Sequence, residues 1–212
     1  SNIVSNLPIG TRLRILERLS NEYIYNNISF PWYKVSFLFD NEEKTGYVSG
    51  GFIAQDYHIS SENYIFLYGL YKFYSDDGIK FQIRVAENNK EIDKIEYFPV
   101  EIADDDYGFD VYLNTAINNG IHIIVTTFLR ATCGGGQHNQ TTFFFENNKI
   151  YEVRSFSNSD SKSLGYSNGK VQLYEWKWRS DDIDEFEGRE EYKELVEEYI
   201  WSEGELKTIA QI

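Results

Sequence analysis

Between Pro31 and Ile53, turn residues and strand residues follow one another so closely that a small, tightly folded β structure is the form that accommodates them. Trp32, Lys34 and Ser36 alternate with Tyr33, Val35 and Phe37, which sends the two sets to opposite faces of a strand. Pro31 has no amide hydrogen to give a ladder and marks the strand's beginning. Asp40-Asn41-Glu42-Glu43 is a turn. The chain returns through Thr45-Gly46-Tyr47-Val48, where Gly46 permits close backbone approach and Tyr47 adds a large half-buried ring. Gly50-Gly51 then bends it into Phe52-Ile53. Upstream, Thr11 to Glu17 sends Leu13 and Ile15 to one face and Arg12 and Arg14 to the other, with Pro8 and Gly10 marking the start.

Ala54 to Ser61, with Gln55-Asp56 and Ser60-Ser61, reads as a linker, so the chain is expected to divide into residues 1–55 and 62–212. The later part is rich in strands. Ile79 to Val85 alternates, Glu87-Asn88-Asn89-Lys90 turns it into Ile92 to Phe98, and Tyr107 to Leu113, Ile121 to Leu129 and Thr141 to Phe145 follow. Asn147-Asn148 makes a tight turn into Ile150-Tyr151-Glu152-Val153, and Val171 to Trp178 alternates again. These connections are too short for helical crossovers, so antiparallel sheets, as a sandwich or a meander, are expected. The exception is near the end, where Tyr192, Leu195, Val196, Tyr199 and Ile200 have helical spacing. The same stretch also reads as a hairpin, Tyr199 to Ile209, turning at Ser202-Glu203-Gly204. Ser155 to Lys170, rich in Ser, Asn and Gly, reads as the longest loop.

Gly10, the Trp32-x-Lys34-Val35 motif, Gly46-x-Val48 and Phe52-Ile53 together resemble the bacterial SH3-type (SH3b) domain, over about the first quarter of the chain. Tyr47 stands where that family more often has Trp. The resemblance implies a small SH3-like barrel followed by a larger antiparallel β domain. It also implies an extracytoplasmic binding protein that contacts cell-wall peptide or glycan, or a partner protein, and carries no catalysis. Trp32, Tyr33 and Tyr47 are the candidate contact rings, and Tyr23 and Tyr25, expected in the loop before Pro31, extend that surface. Equally, Trp32 and Tyr47 would serve to seal the barrel. Proline-rich peptide binding is not expected, because no acidic-aromatic motif precedes Trp32.

Charge narrows the partners. With 34 acidic against 20 basic residues and a net charge of −14, the chain opposes a nucleic-acid backbone and anionic lipid, and favours solubility or a basic partner. Its 42% hydrophobic and 17% aromatic content supports a real core. No apolar run approaches the roughly 18 residues of a membrane-spanning helix; Ile121 to Leu129 is broken by His122, Thr126 and Thr127. The absence of Met is expected to reflect removal of the start residue, with a signal peptide or by trimming. Cys133 is the single cysteine, so an internal disulfide is excluded.

Three further constellations invite chemistry. Arg130 to Asn139 is a glycine-rich connection in which Cys133 would be a nucleophile and His138 its base. A long hairpin loop is the favoured account, since no orienting group or positive field accompanies the thiol, and no Gly-Lys-Ser/Thr ending makes it a phosphate loop. Asp104-Asp105-Asp106 with Asp110, and Asp181 to Glu187, offer oxygen ligands to calcium but lack EF-hand spacing, and solvated acidic turns are favoured. His58, His122 and His138 lie too far apart for a local metal motif. The aromatic run Tyr64, Phe66, Tyr68, Tyr71, Phe73 and Tyr74 suits a sugar-binding face, with sheet core the favoured reading. The expectation is a non-catalytic binding protein with no metal or cofactor. The alternatives are a cysteine-dependent enzyme using Cys133 and His138, or a scaffold engaging a partner through its acidic surface.

Overall fold

The computed structural model describes residues 6–74, 78–98, 106–117, 120–130, 137–156, 162–178 and 191–212. Among them every regular element is a β-strand apart from one 3-10 turn, Gly50–Phe52, and every strand pairing is antiparallel. The strands fall into two compact units, one holding the first seven strands with Asn148–Ile150, the other holding the rest.

The first unit has two sheets. β1 (Arg14–Tyr25), β2 (Ile28–Phe39) and β3 (Glu42–Ser49) form an open three-stranded meander with β2 at its centre, and the described residues form no closed barrel. β4 (Asp56–Ile59), β5 (Ile65–Tyr74), β6 (Gly78–Glu87) and β7 (Lys90–Tyr97) form the second sheet in sequence order. Residues 54–61, expected as a linker, therefore contain a strand: Asp56 to Ile59 pair with Tyr68 to Ile65. Of the aromatic run, Tyr64 and Tyr71 are half-buried and two residues of β5 are core. Phe66 and Tyr68 are buried, and the Tyr68 ring stacks on Phe81 at 5.3 Å and 4°. The Tyr97 hydroxyl meets that of Tyr68 at 3.2 Å, giving two buried phenols a partner each.

The second unit is built from two four-stranded meanders. The first contains β8 (Asp106–Asn114), β9 (Ile121–Arg130), β10 (Gln137–Glu146) and β11 (Lys149–Phe156); the second contains β12 (Lys162–Ser167), β13 (Lys170–Trp178), β14 (Glu191–Ser202) and β15 (Glu205–Gln211). Ile121, Ile123 and Phe144 from the first sheet and Val171, Leu173 and Tyr199 from the second share one buried cluster. The Trp201 ring meets Phe144 edge-on at 4.8 Å and Tyr151 at 5.5 Å, and its Nε1 donates to Glu146 Oε2 at 2.9 Å. A large apolar ring is thus packed while its one donor is satisfied.

One device recurs through the chain. Asn26-Asn27, Asp40-Asn41, Asn88-Asn89, Asn147-Asn148, Asn168-Gly169 and Glu203-Gly204 all have positive φ at both positions. This is the two-residue I′ turn whose twist matches that of the strands it joins, and Asn, Asp and Gly tolerate that backbone best.

Two expectations about the later chain are corrected. Ser155 to Lys170 is not one long loop: β11 runs to Phe156, β12 begins at Lys162, and Asn168-Gly169 is a tight turn. Tyr192 to Ile200 is not helical but lies in β14, and the hairpin reading is the one observed, with Glu203-Gly204 as its two central residues. A bulge accounts for part of the helical spacing, because it puts Tyr192 and Tyr199, seven residues apart, on one face of the strand. Leu195 pairs with Tyr174 while Glu197 pairs with the adjacent Leu173, so Val196 is an extra residue. One inserted residue converts two-residue alternation into a three-residue step.

β14 also carries a resolved electrostatic contact. Glu198 accepts from Lys170 Nζ at 2.7 Å and from Gln172 Nε2 at 3.0 Å, and these donors hold its carboxyl below the usual carboxylate range. A lowered folded-state pKa contributes stability that is present above the ordinary carboxylate value and lost as pH falls through the lowered one. Glu198→Gln is therefore expected to lower the denaturation midpoint at neutral pH and to lose most of that effect in acid, measured by urea unfolding at both pH values.

Candidate functional site

The register of the first sheet sorts its aromatic side chains by face. Residues directly opposite one another across a ladder point the same way. Tyr23 pairs with Phe30 and Tyr25 with Ile28 on one side of β2, and Trp32 pairs with Ser49 and Lys34 with Tyr47 on the other. The even-numbered positions of β2 thus share a face with Tyr23, Tyr25 and Tyr47. Tyr33 pairs with Val48 and looks the other way, alongside the buried Val35.

The 3-10 turn completes that face. Ser49 caps it by accepting from the Gly51 amide, and Gly51 lies flat on Phe30: a Cβ there would sit 2.9 Å from the ring. This close approach carries Phe52 back over the aromatic end of the sheet. Its ring lies 5.1 Å from Tyr25 and 6.4 Å from Tyr23, and Tyr23 lies 6.0 Å from Trp32. Tyr23 is 42% exposed, Phe52 61% and Tyr47 64%, whereas Trp32 is half-buried. Four of the five rings expected to make or extend the contact surface, Trp32, Tyr47, Tyr23 and Tyr25, therefore share one face, and Tyr33 does not. Tyr33 instead packs against Gly50, where a Cβ would sit 3.1 Å from Cε2. Tyr23 and Tyr25 are on a strand rather than in a loop. Phe52 was not expected as a contact residue; the signal for it was the Gly50-Gly51 pair, which lets the following residue fold back onto the sheet.

The other sequence candidates are distributed as follows. Cys133 and the acidic residues at 181–187 lie outside the described residues, as do Asp104, Asp105 and the side chains of Asp106 and His138. The strands flanking the glycine-rich segment pair as consecutive neighbours out to Arg130 and Gln137. His122 is buried on β9 with its ring edge-on to Phe145 at 6.0 Å, and His58 lies 6.4 Å from Phe66. No group of three His, Cys, Asp or Glu among the described residues is placed to hold a metal ion. Burial, above all, raises the Tyr166 phenol far above its ordinary value, with Tyr112 adding to it, so Tyr166 stays protonated at physiological pH. No described helix is long and apolar enough to cross a membrane.

Comparison with family models, characterised proteins and solved structures finds no match to this chain.

Proposed function

We propose that the opening strands act as an SH3b-like module of an extracytoplasmic bacterial protein, binding cell-wall peptide or glycan, or a partner protein, without catalysing a reaction. The observation that carries this reading is the exposed aromatic face of Tyr23, Tyr47 and Phe52 around Trp32. Large rings left in water are costly unless they are covered by a partner, and a cluster of them on one face is a contact surface in form. The signature motifs support the same reading: Trp32-x-Lys34-Val35 lies on the central strand, with Lys34 and Val35 directly opposite Tyr47 and Gly46.

The experiment is retention of the full chain on purified peptidoglycan, repeated with Trp32→Ala and a thermal-unfolding control. Truncating a central aromatic anchor costs about 2 kcal/mol or more, so retention is expected to fall at least tenfold. Retention that is absent in the parent protein, or unchanged in the variant, rejects cell-wall binding by this face.

A further inference from the structure

The aromatic face continues into a basic one. Beyond Lys34 on the same side of β2 come Ser36 and Leu38, and Arg14 of β1 pairs with Ser36. A shallow groove of about 300 Å³ lies there, lined by Arg12, Leu13, Arg14, Ser36, Phe37, Leu38 and Glu43. From Trp32 to Leu38 the strip runs roughly 20 Å at the usual rise of a strand. Both arginines are exposed, and no carboxylate among the described residues forms an ion pair with either. Two acids share the strip, Glu17 opposite Lys34 and Glu43 in the groove, against the three cations Arg12, Arg14 and Lys34.

Charge is distributed along the chain in the same sense. The first fifty residues hold five acidic and five basic side chains, so the whole net charge of −14 belongs to the chain after Gly50. Among the described residues, this strip presents an anion with two exposed guanidiniums that have no carboxylate partner. A nucleic acid is disfavoured, because so few cations cannot offset the repulsion of its backbone by so acidic a protein. The strip's form suits a chain of sugars: it offers exposed aromatic side chains and, beside them, a shallow trough bordered by guanidiniums.

We propose that this face takes an acidic oligosaccharide, with sugar rings on Tyr23, Phe52 and Tyr47 and carboxylates on Arg12 and Arg14. The proposal rests on the reading of this face as a binding surface and names its ligand class. A guanidinium presents two parallel N–H donors to a carboxylate, and an extended chain of rings matches the length of the strip better than a single sugar does.

Isothermal titration of the full chain at low salt tests it with three probes: a short oligogalacturonate, the same oligomer with its carboxyls reduced to alcohols, and a polyglutamate of matched charge. The acidic oligomer is expected to bind at least tenfold more tightly than either control. Arg12→Gln with Arg14→Gln, and separately Tyr47→Ala, should each weaken it about tenfold, while thermal unfolding shows that both variants fold. All these side chains are exposed, and Arg14→Lys, which keeps the charge and loses the fork, should weaken binding partway. Equal binding of the reduced oligomer, equal binding of polyglutamate, insensitivity to the arginines, or no binding of the acidic oligomer overturns the proposal. Trp32-dependent retention on peptidoglycan in the same preparation would leave the broader reading standing, and loss of both sinks the two together.

Discussion

Alanine at Phe144 is expected to destabilise the second unit by about 3–5 kcal/mol, the range for removing a fully buried aromatic ring. Phe144 has no exposed surface and sits where the two sheets meet, among Ile121, Ile123, Val171 and Leu173. Its ring also holds Trp201 edge-on at 4.8 Å and lies 6.0 Å from Tyr166, so truncation leaves a void and removes two aromatic contacts together. Against a domain stability of roughly 5–15 kcal/mol, such a loss is a large fraction of the total. Urea unfolding followed by tryptophan fluorescence reads it directly, because Trp201 borders the void. Phe144→Leu keeps most of the volume and should cost clearly less. A midpoint shift in the alanine variant equivalent to under about 1 kcal/mol would mean that the cluster does not hold the two sheets together.

The strands were legible because their signal is local. Alternation on Ile79 to Val85 and Val171 to Trp178, and paired Asn at 88–89 and 147–148, specify strand and turn without reference to anything distant. Errors arose where alternation breaks. Val196, inserted by a bulge, brings Tyr192 and Tyr199 to one face at a seven-residue spacing that a helix would also give, and polar composition at 54–61 and 155–170 conceals the strands β4 and β12. Polar residues are compatible with a short or edge strand, since only one face of it needs to be apolar.

The candidate face was partly legible for a related reason. Trp32 and Tyr47 could be placed together because both belong to strands joined by a recognisable turn, which fixes register. Tyr33 lies on the opposite face from its neighbour Trp32, as adjacent residues of a strand must, and which of the two faces is exposed depends on what packs behind each. Phe52 reaches the face only because a 3-10 turn folds over Phe30, a tertiary event with no periodic signature. The basic end of the strip has the same origin: Arg12 and Arg14 become neighbours of Ser36 and Leu38 through a pairing interrupted by two bulges in β1. Those bulges fit the position of β1 at the edge of its sheet, where exposed Ile15, Leu16 and Ile24 would otherwise offer a regular ladder to another chain.

The terminal hairpin supplies the second large effect, and its sign depends on which turn residue is changed. Gly204 has φ +83°, and a Cβ added there would come within 2.9 Å of Tyr151 Cδ1, on the ring that in turn meets Trp201. Valine combines a left-handed backbone, worth roughly 1–2 kcal/mol for a residue with a Cβ, with displacement of a packed ring. Gly204→Val is therefore expected to cost about 3 kcal/mol or more, read as a lowered unfolding midpoint. Glu203, one residue earlier at φ +58°, is also left-handed, and Asn suits that position better than Glu. Among the described residues its side chain is tied only to Lys207, through an exposed ion pair at 3.0 Å, and exposed pairs contribute about 0–1 kcal/mol. Glu203→Asn should accordingly leave stability unchanged or raise it. If both substitutions were equally harmful, the acidic side chain rather than the I′ backbone would be what holds β14 and β15 together; if both were neutral, the strands would not need this turn at all.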